Sequence, residues 1–385
     1  MTGKKLGQKI LKSLNQAGYE AYFVGGMVRD ILLGRCLYDI DIATSASPEV
    51  VLDLFPNTKA TGVHYGVVTV ITEGMAIEVA TFRQEDNYSN HRHPDQVVFT
   101  KSLTADLIRR DFTINAMALG QDGVIIDPFN GQADLQAKVI RAVGDPKKRF
   151  SEDALRILRG VRFVSQLGFD IEAKTLMAMR ENRALLADLS FERIKKELER
   201  MMNPLGYQEK ALAIMVNNQF FEAVPFFNQL GKFDDLNGIK NITTLFDVIA
   251  YELENPTEFL TVFPFTKAEK KIIQTLLAIR HEVIDERLVV YRFGTNVQYR
   301  RHLLACFYQD QKFTPKLPTV TIRSRADLQV QPEDVIKRLR KPPGAWINHL
   351  FTEIEEAIVL EKIANTHASI FNFIEERGIL HVEKA

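Results

Sequence analysis

The chain has 385 residues, of which 46% are hydrophobic and 25% charged, a composition typical of globular proteins that excludes collagen-like and intrinsically disordered chains. Its 49 basic and 49 acidic residues give a formal charge of zero, which argues against a uniformly basic RNA-coating protein but allows a local basic groove. Two cysteines are too few for a disulfide framework. Since no apolar run approaches the roughly 20 residues of a membrane span, and no secretory signal is evident, we expect a cytoplasmic protein.

The sequence of residues 1–145 predicts a mixed α/β region. Leu6, Ile10 and Leu14 recur at helical spacing in the first segment, and a second helix is expected at Met27–Leu33. Strands are expected at Tyr22–Val24, Asp39–Ala43, Val67–Thr72, Ala76–Phe82, Gln96–Phe99, Asn115–Leu119 and Val124–Ile126. This pattern predicts a small, mixed or antiparallel sheet with helices on one face.

The sequence after residue 145 predicts helices. Ser151 is the expected N-cap of a helix that runs to Gly168, with Glu152 and Asp153 in its first turn. Further helices are expected at Glu172–Glu181, Phe191–Met202, Tyr207–Asn217, Lys267–Glu282, Pro332–Leu339 and Leu350–Lys362. The fold class is therefore α+β, and we predict divisions into residues 1–145, 146–205, 206–320 and 321–385.

Three carboxylates in the predicted sheet are the first candidates for chemistry. Asp39 and Asp41 are two residues apart, so on a strand they point to the same face. Glu78 adds a third carboxylate from another predicted strand. Adjacent like charges are costly unless a cation lies between them, and Mg²⁺ binds through one or two carboxylates together with substrate phosphates. The alternative is a solvated strand face.

A glycine pair between the first predicted strand and the next helix indicates a phosphate site. Gly25 and Gly26 let the backbone approach a ligand closely, and the helix that follows offers free N–H groups. Arg29, in the first turn of that helix, adds a charge-assisted contact. An ordinary turn is the alternative, but the nearby acidic pair strengthens the functional interpretation.

The segment Arg109–Met117, with the sequence RRDFTINAM, is the third cluster. Its apolar residues bury one side, which leaves Arg110 and Asn115 available to a polyphosphate and a ribose. Asp111 is expected to orient an arginine rather than to bind a metal. The alternative is a salt-bridged helix surface.

The segment that begins at Glu152 is the fourth cluster. Arg156, Arg159 and Arg162 form one stripe of the predicted helix, and Asp153 lies one turn before Arg156. The simplest interpretation is an ion pair between residues i and i+3. The functional alternative is that the carboxylate accepts from the exocyclic amino group of cytosine or adenine while the guanidinium donates to the ring nitrogen. Uracil and guanine have the opposite arrangement, so an acceptor of the base would face the carboxylate and a donor would face the guanidinium. Each buried mismatch of this kind would cost roughly 1–3 kcal/mol of binding free energy.

In this order and spacing, the four clusters resemble those of the class II tRNA nucleotidyltransferases, the CCA-adding enzymes, and their relatives the bacterial poly(A) polymerases. The patterns GGxVRD, DxD, RRDFTINA and EDxxR carry the resemblance, which extends over most of the chain. It implies a seahorse-shaped molecule whose nucleotidyltransferase head precedes a helical neck, body and tail, with the boundaries predicted above. Since no His-Asp dipeptide occurs, the HD phosphohydrolase domain of some relatives is not implied.

The resemblance also implies roles for individual residues. Asp39 and Asp41 match the acids that hold Mg²⁺, and Glu78 lies where the family has a further acidic residue. The expected nucleotide-binding residues are Gly26, Arg29, Arg110, Asn115, Asp153, Arg156, Arg159 and Arg162. Within this set, Asp153 and Arg156 match the amino-acid template that pairs with the incoming base.

The implied activity is the addition of C, C and A to tRNA 3′ ends from CTP and ATP, without a nucleic-acid template. The helical parts are expected to bind tRNA by its shape and backbone, and Lys337–Lys341 is a candidate basic contact. The polar segment Glu85–Pro94 resembles the flexible loop of full CCA-adding enzymes, which favours addition of A as well as C. The alternatives are a poly(A) polymerase or A-adding enzyme, and a non-catalytic RNA-binding protein.

Overall fold

The computed structural model describes residues 2–37, 39–89, 93–203, 206–233, 236–309 and 318–377. The chain divides into two compact units, Met1–Ile242 and Thr243–Ala385. In the described part of the chain, no helix is long and apolar enough to cross a membrane. The first unit combines a sheet with helices and the second is helical, so the predicted α+β class is confirmed.

A seven-stranded sheet forms the framework of the first unit, in the order β3-β4-β5-β2-β1-β8-β9. Its strands are β1 Ala21–Val24, β2 Asp41–Thr44, β3 Thr58–Gly62, β4 Val67–Thr72, β5 Met75–Thr81, β8 Ala118–Leu119 and β9 Ile125–Ile126. Neighbouring strands are antiparallel except β2 and β5, which run parallel. Most of the predicted strands are confirmed, whereas β3 was not expected, and Asn115 lies in a 3₁₀ helix instead of a strand.

Two smaller strand pairs accompany this sheet. β6 Arg83–Ser89 and β7 His93–Phe99 form an antiparallel hairpin, and β10 Val139–Ile140 pairs in parallel with β11 Asp170–Ile171. The prediction of a loop over Glu85–Pro94 is therefore wrong at both ends of that segment, because these ends belong to β6 and β7. Residues 90–92 in its centre lie outside the described residues.

The described part of the first unit also contains ten α-helices. Leu6, Ile10 and Leu14 of α1 are buried, as their spacing predicted. The helices are α1 Thr2–Gln16, α2 Gly26–Leu32, α3 Pro48–Leu54, α4 Leu103–Ile108, α5 Gly131–Ala137, α6 Pro146–Glu152, α7 Leu155–Leu167, α8 Ala173–Glu181, α9 Phe191–Met201 and α10 Gln208–Asn217.

The helix predicted from Ser151 to Gly168 is two helices. Ser151 lies in the last turn of α6, whose N-cap is Asp145, so its predicted role as an N-cap is wrong. Asp153 is extended, with φ −144° and ψ 102°, and its carboxylate accepts a hydrogen bond from the N–H of Leu155 at 3.1 Å. Aspartate is a good acceptor for the free N–H groups at the start of a helix. The helix is therefore interrupted at Asp153 although no glycine or proline is present there.

The second unit is built from eight helices in its described residues. They are α11 Ile242–Glu252, α12 Thr257–Val262, α13 Lys267–Ala278, α14 Glu286–Phe293, α15 Thr295–Phe307, α16 Pro332–Leu339, α17 Ala345–Val359 and α18 His367–Glu376. Thr266 and Glu269 form a capping box that fixes the start of α13. Aromatic rings cluster where Phe246 contacts Phe263 and Phe265 at centroid distances of 5.1 and 5.3 Å.

Gly131, at the start of α5, contacts the segment that carries Asn115. A Cβ atom at Gly131 would lie 2.3 Å from the carbonyl oxygen of Thr113 and 2.9 Å from the side chain of Met117. We predict that Gly131→Ala lowers the free energy of unfolding of the first unit by about 1–3 kcal/mol, because backbone must shift to relieve this overlap. Urea denaturation measures the change. Gln136→Ala, at an exposed position of the same helix, is the control, and equal effects of the two substitutions would contradict the prediction.

Candidate active site

A cavity of about 550 Å³ lies in the first unit, beside β2 and at the start of α7. Most of the predicted site residues line it: Gly26, Arg29, Asp41, Arg110, Asn115, Asp153, Arg156, Arg159 and Arg162. Residues from all four sequence clusters therefore line one cavity. Asp39 and Glu78 are not among its lining residues.

Asp41 and Glu78 are partners across the parallel strands β2 and β5. Burial raises the pKa of Asp41, and the nearby carboxylate of Glu78 raises it further, whereas the Arg110 guanidinium lowers it and Asp39 raises it. Asp39 is exposed and precedes β2, so the prediction that both aspartates lie on a strand is wrong for Asp39. The acidic site is thus a close pair of carboxylates with a third nearby.

The chemistry of this donor set fits a hard divalent cation. Repulsion from Glu78 and Asp39 disfavours the ionised form of Asp41, and a bound cation would relieve that repulsion. In the described part of the chain, no three histidine, cysteine, aspartate or glutamate side chains form a preformed metal cluster. A hard cation can bind through one or two carboxylates and complete its shell with water and substrate phosphates.

Gly25 brings the backbone next to the acidic site. Its φ of 68° lies in the left-handed region that favours glycine. A Cβ atom there would lie 3.1 Å from Nη1 of Arg110 and 3.6 Å from Oδ2 of Asp41. Glycine at position 25 thus keeps open the space between the carboxylate and the guanidinium, which a side chain would fill.

Arg29 and Arg159 are joined through two residues of the RRDFTINAM segment. Nη1 of Arg29 donates to Oδ1 of Asn115 at 2.8 Å, and Nδ2 of Asn115 donates to Oδ1 of Asp111 at 3.3 Å. Nε of Arg159 donates to Oδ2 of Asp111 at 2.7 Å. Asp111 therefore orients an arginine, as predicted, and Asn115 orients Arg29 from inside the protein.

The pKa of Asp111 shows how strongly this network stabilises its charge. Burial raises the pKa, but Arg159, the Phe112 N–H and Asn115 together lower it to about 2. Asp111 in turn raises the pKa of Arg159. The carboxylate and the guanidinium are thus both charged at neutral pH.

Two buried carboxylates that were not predicted from the sequence hold further arginines. Asp106 on α4 is 1% exposed and accepts from Arg109 at 2.7 Å and from Arg110 at 3.1 Å. Glu197 on α9 lies 2.7 Å from Nε of Arg162, and burial lowers the pKa of Arg162 to about 10. The spacing of Asp106 three and four residues before the arginine pair was a usable signal, whereas Glu197 is distant in sequence.

Asp153 and Arg156 are both held by other groups at the break between α6 and α7. The Asp153 carboxylate accepts from Nη2 of Arg193 at 2.9 and 3.0 Å. Arg156 donates to Glu152 at 2.8 Å and to the carbonyl oxygens of Arg149 and Arg109 at 3.0 and 2.9 Å. Each side chain is thereby fixed at the cavity wall.

Three family models match successive parts of the chain. Residues 21–141 match a model described as "Poly A polymerase head domain". Residues 168–230 match "Probable RNA and SrmB- binding site of polymerase A", and residues 237–374 match "tRNA nucleotidyltransferase domain 2 putative". A carboxylate pair beside an arginine-lined cavity, on such a head, defines a nucleotidyltransferase.

Full-length relatives narrow this class. The CCA-adding enzyme of Geobacillus sp. strain WCH70 is 35% identical, and the match covers 97% of each chain. That of Lactobacillus helveticus strain DPC 4571 is 38% identical over 95% of this chain and 96% of the relative. The structure of the Bacillus stearothermophilus CCA-adding enzyme in complex with CTP matches with a TM-score of 0.80 and 31% identity, covering 97% of this chain and 96% of that one. The chain belongs to the CCA-adding enzymes.

The low pKa of Asp111 gives a prediction for stability against pH. A carboxyl whose pKa falls from 3.8 unfolded to about 2 folded contributes about 2 kcal/mol of stability above pH 4, which is lost as the pH falls toward 2. We predict that Asp111→Asn destabilises the first unit by about this amount at pH 7, and that its difference from the wild type shrinks below pH 4. Urea denaturation across pH tests this. The exposed Asp188→Asn is the control, and a difference independent of pH would contradict the prediction.

Proposed function

We propose that this chain extends the 3′ end of tRNA with C, C and A, taken from CTP and ATP, without a nucleic-acid template. One observation carries the proposal: Asp153 and Arg156 line the same cavity as Asp41 and the arginines of the phosphate site. In that arrangement, a base held at the template pair has its triphosphate among the arginines. Membership of the CCA-adding enzymes supports the choice of nucleotides and of tRNA.

In the proposed reaction the 3′-hydroxyl of the RNA attacks the α-phosphate of the nucleotide, and pyrophosphate leaves. Arg29 and Arg110 would stabilise the negative charge of the polyphosphate by charge-assisted hydrogen bonds. Nucleotidyltransferases as a class depend on a metal, and we propose Mg²⁺, held by Asp39 and Asp41 with Glu78 close by. When two such ions are bound, one would lower the pKa of the attacking hydroxyl and the other would neutralise charge on the triphosphate.

We propose that Asp153 and Arg156 select the base. The carboxylate can accept from the amino group shared by cytosine and adenine, and the guanidinium can donate to the adjacent ring nitrogen. Buried mismatches with uracil or guanine would each cost roughly 1–3 kcal/mol. The fixed partners Arg193 and Glu152 support this role, because a template must hold its donors and acceptors still.

We further propose that residues 146–205, 206–320 and 321–385 act as neck, body and tail and bind the tRNA, and that this happens in the cytoplasm, where tRNA is used. The basic stretch Lys337–Lys341 remains a candidate contact. Within it, Arg338 lies 3.6 Å from Glu375, and the Lys341 ammonium lies 5.0 Å from the Trp346 ring centroid.

A poly(A) polymerase is the second candidate, because the head matches a family model described by that activity. The two candidates differ in their use of CTP. A tRNA that ends at its discriminator base should gain C, C and A from this chain when CTP and ATP are supplied. Product length and identity decide between them, since addition of A without C would support the polymerase.

We predict that Asp41→Asn reduces nucleotide addition by more than about 100-fold, because several kcal/mol of charge stabilisation by the metal would be lost. Incorporation of labelled CTP and ATP into tRNA lacking CCA measures the loss. The control is Asp53→Asn, at an exposed position of α3 in the same unit. Activity of Asp41→Asn close to that of the control would contradict the proposal.

We predict that Arg156→Ala relaxes selection against UTP and GTP by about 10- to 100-fold, in line with the cost of a buried mismatch. The ratios of kcat/KM for the four nucleotides give the measurement. The exposed Arg183→Ala, in the same unit, is the control. An equal loss for all four nucleotides would assign Arg156 to triphosphate binding and remove the template role.

A further inference from the structure

One buried aromatic ring lies among the arginines of the cavity. Phe163 on α7 is 3% exposed and lines the cavity wall. The guanidinium carbons of Arg162, Arg29 and Arg159 lie 4.4, 5.3 and 5.8 Å from its ring centroid. All three distances are within the roughly 6 Å over which a cation is attracted to an aromatic ring.

The ring joins arginines from two separate elements. Arg29 belongs to α2, which follows the glycine pair, whereas Arg159 lies one turn before Phe163 on α7 and therefore on the same helix face. Phe163 is itself fixed by Phe112, which meets it at an interplanar angle of 87° and a centroid distance of 5.8 Å. One ring thus contacts cations of α2 and of α7.

A ring and a carboxylate hold a cation in different ways. Each of these arginines has an acidic partner, with Asp30 for Arg29, Asp111 for Arg159 and Glu197 for Arg162. A further carboxylate would cancel positive charge and occupy N–H donors that a phosphate needs. The quadrupole of an aromatic ring attracts the guanidinium without cancelling its charge. The cluster therefore gains an anchor and stays attractive to an anion.

We propose that Phe163 is a positioning residue for the triphosphate of the incoming nucleotide, and that it acts by holding Arg29, Arg159 and Arg162 together. The ligand class is a nucleoside triphosphate, recognised through its phosphates. Because the ring acts on phosphate-binding groups and not on the base, it affects CTP and ATP alike. The inference rests on the function proposed above and concerns how that site positions the triphosphate.

Fluorination of the ring tests the inference, since it weakens the quadrupole while nearly preserving the shape. Phenylalanine with one, two, three and five fluorine atoms is introduced at position 163 of the full chain. The KM for CTP and for ATP rises stepwise and equally, to about tenfold for the pentafluoro ring, while kcat changes less than threefold. The inhibition constant of inorganic tripolyphosphate rises by the same factor, because that probe has phosphates and no base.

The control is the same series at Phe150, a ring of α6 that is also fully buried. There, fluorination leaves both KM values unchanged. A KM at position 163 that stays constant while the unfolding midpoint falls would overturn the inference and leave the ring a packing role. An effect on ATP alone, or on base selection, would overturn it as well.

Failure of the proposed function has a different signature. If the wild-type chain added neither nucleotide to tRNA, the function would be wrong. Isothermal titration with tripolyphosphate would still test the ring directly, and weaker binding with increasing fluorination would support the inference on its own.

Discussion

Repulsion among like charges is the constraint on which the site depends. Eight arginines line one cavity of the first unit: Arg29, Arg83, Arg109, Arg110, Arg156, Arg159, Arg162 and Arg193. Guanidinium groups stay protonated even when buried, so the fold must hold them close together without losing their charge. Buried carboxylates behind the cavity wall meet this requirement, and Asp106 and Glu197 are the least exposed of them. The arginines that remain at the wall form an attractive surface for a polyphosphate.

The same constraint explains why structure and function are closely coupled here. Asp111 takes part in the RRDFTINAM segment, in the fixation of Arg159 and, through Asn115, in that of Arg29. Removing Asp111 leaves the half-buried guanidinium of Arg159 without its partner, which costs stability. Substitutions in this network are therefore expected to change stability and nucleotide binding together, and matched controls are needed to separate the two.

Much of this arrangement was predictable from local sequence. Helical spacing identified α1, and turn residues bounded the strands that carry Asp41 and Glu78. The hydrogen-bond role of Asp111 also followed from its neighbours. The hairpin strand β6 was missed because its polar sequence lacks the alternation of a half-buried strand. Contacts over long sequence separation, such as Glu197 with Arg162, have no local signature, and neither has the ring of Phe163 beneath arginines of two elements.

The break at Asp153 shows why a local rule can fail at a position for which we propose a function. The pattern from Ser151 to Gly168 has no glycine or proline inside its first turns, so propensity alone predicts one continuous helix. A continuous helix would engage the backbone of Asp153 in helical hydrogen bonds, whereas the extended conformation frees the residue to cap α7 and to meet Arg193. A carboxylate that caps a helix and accepts from a fixed arginine has few orientations left. This fixed orientation supports the role that we propose for Asp153, because a side chain that discriminates between bases must keep its acceptors in place.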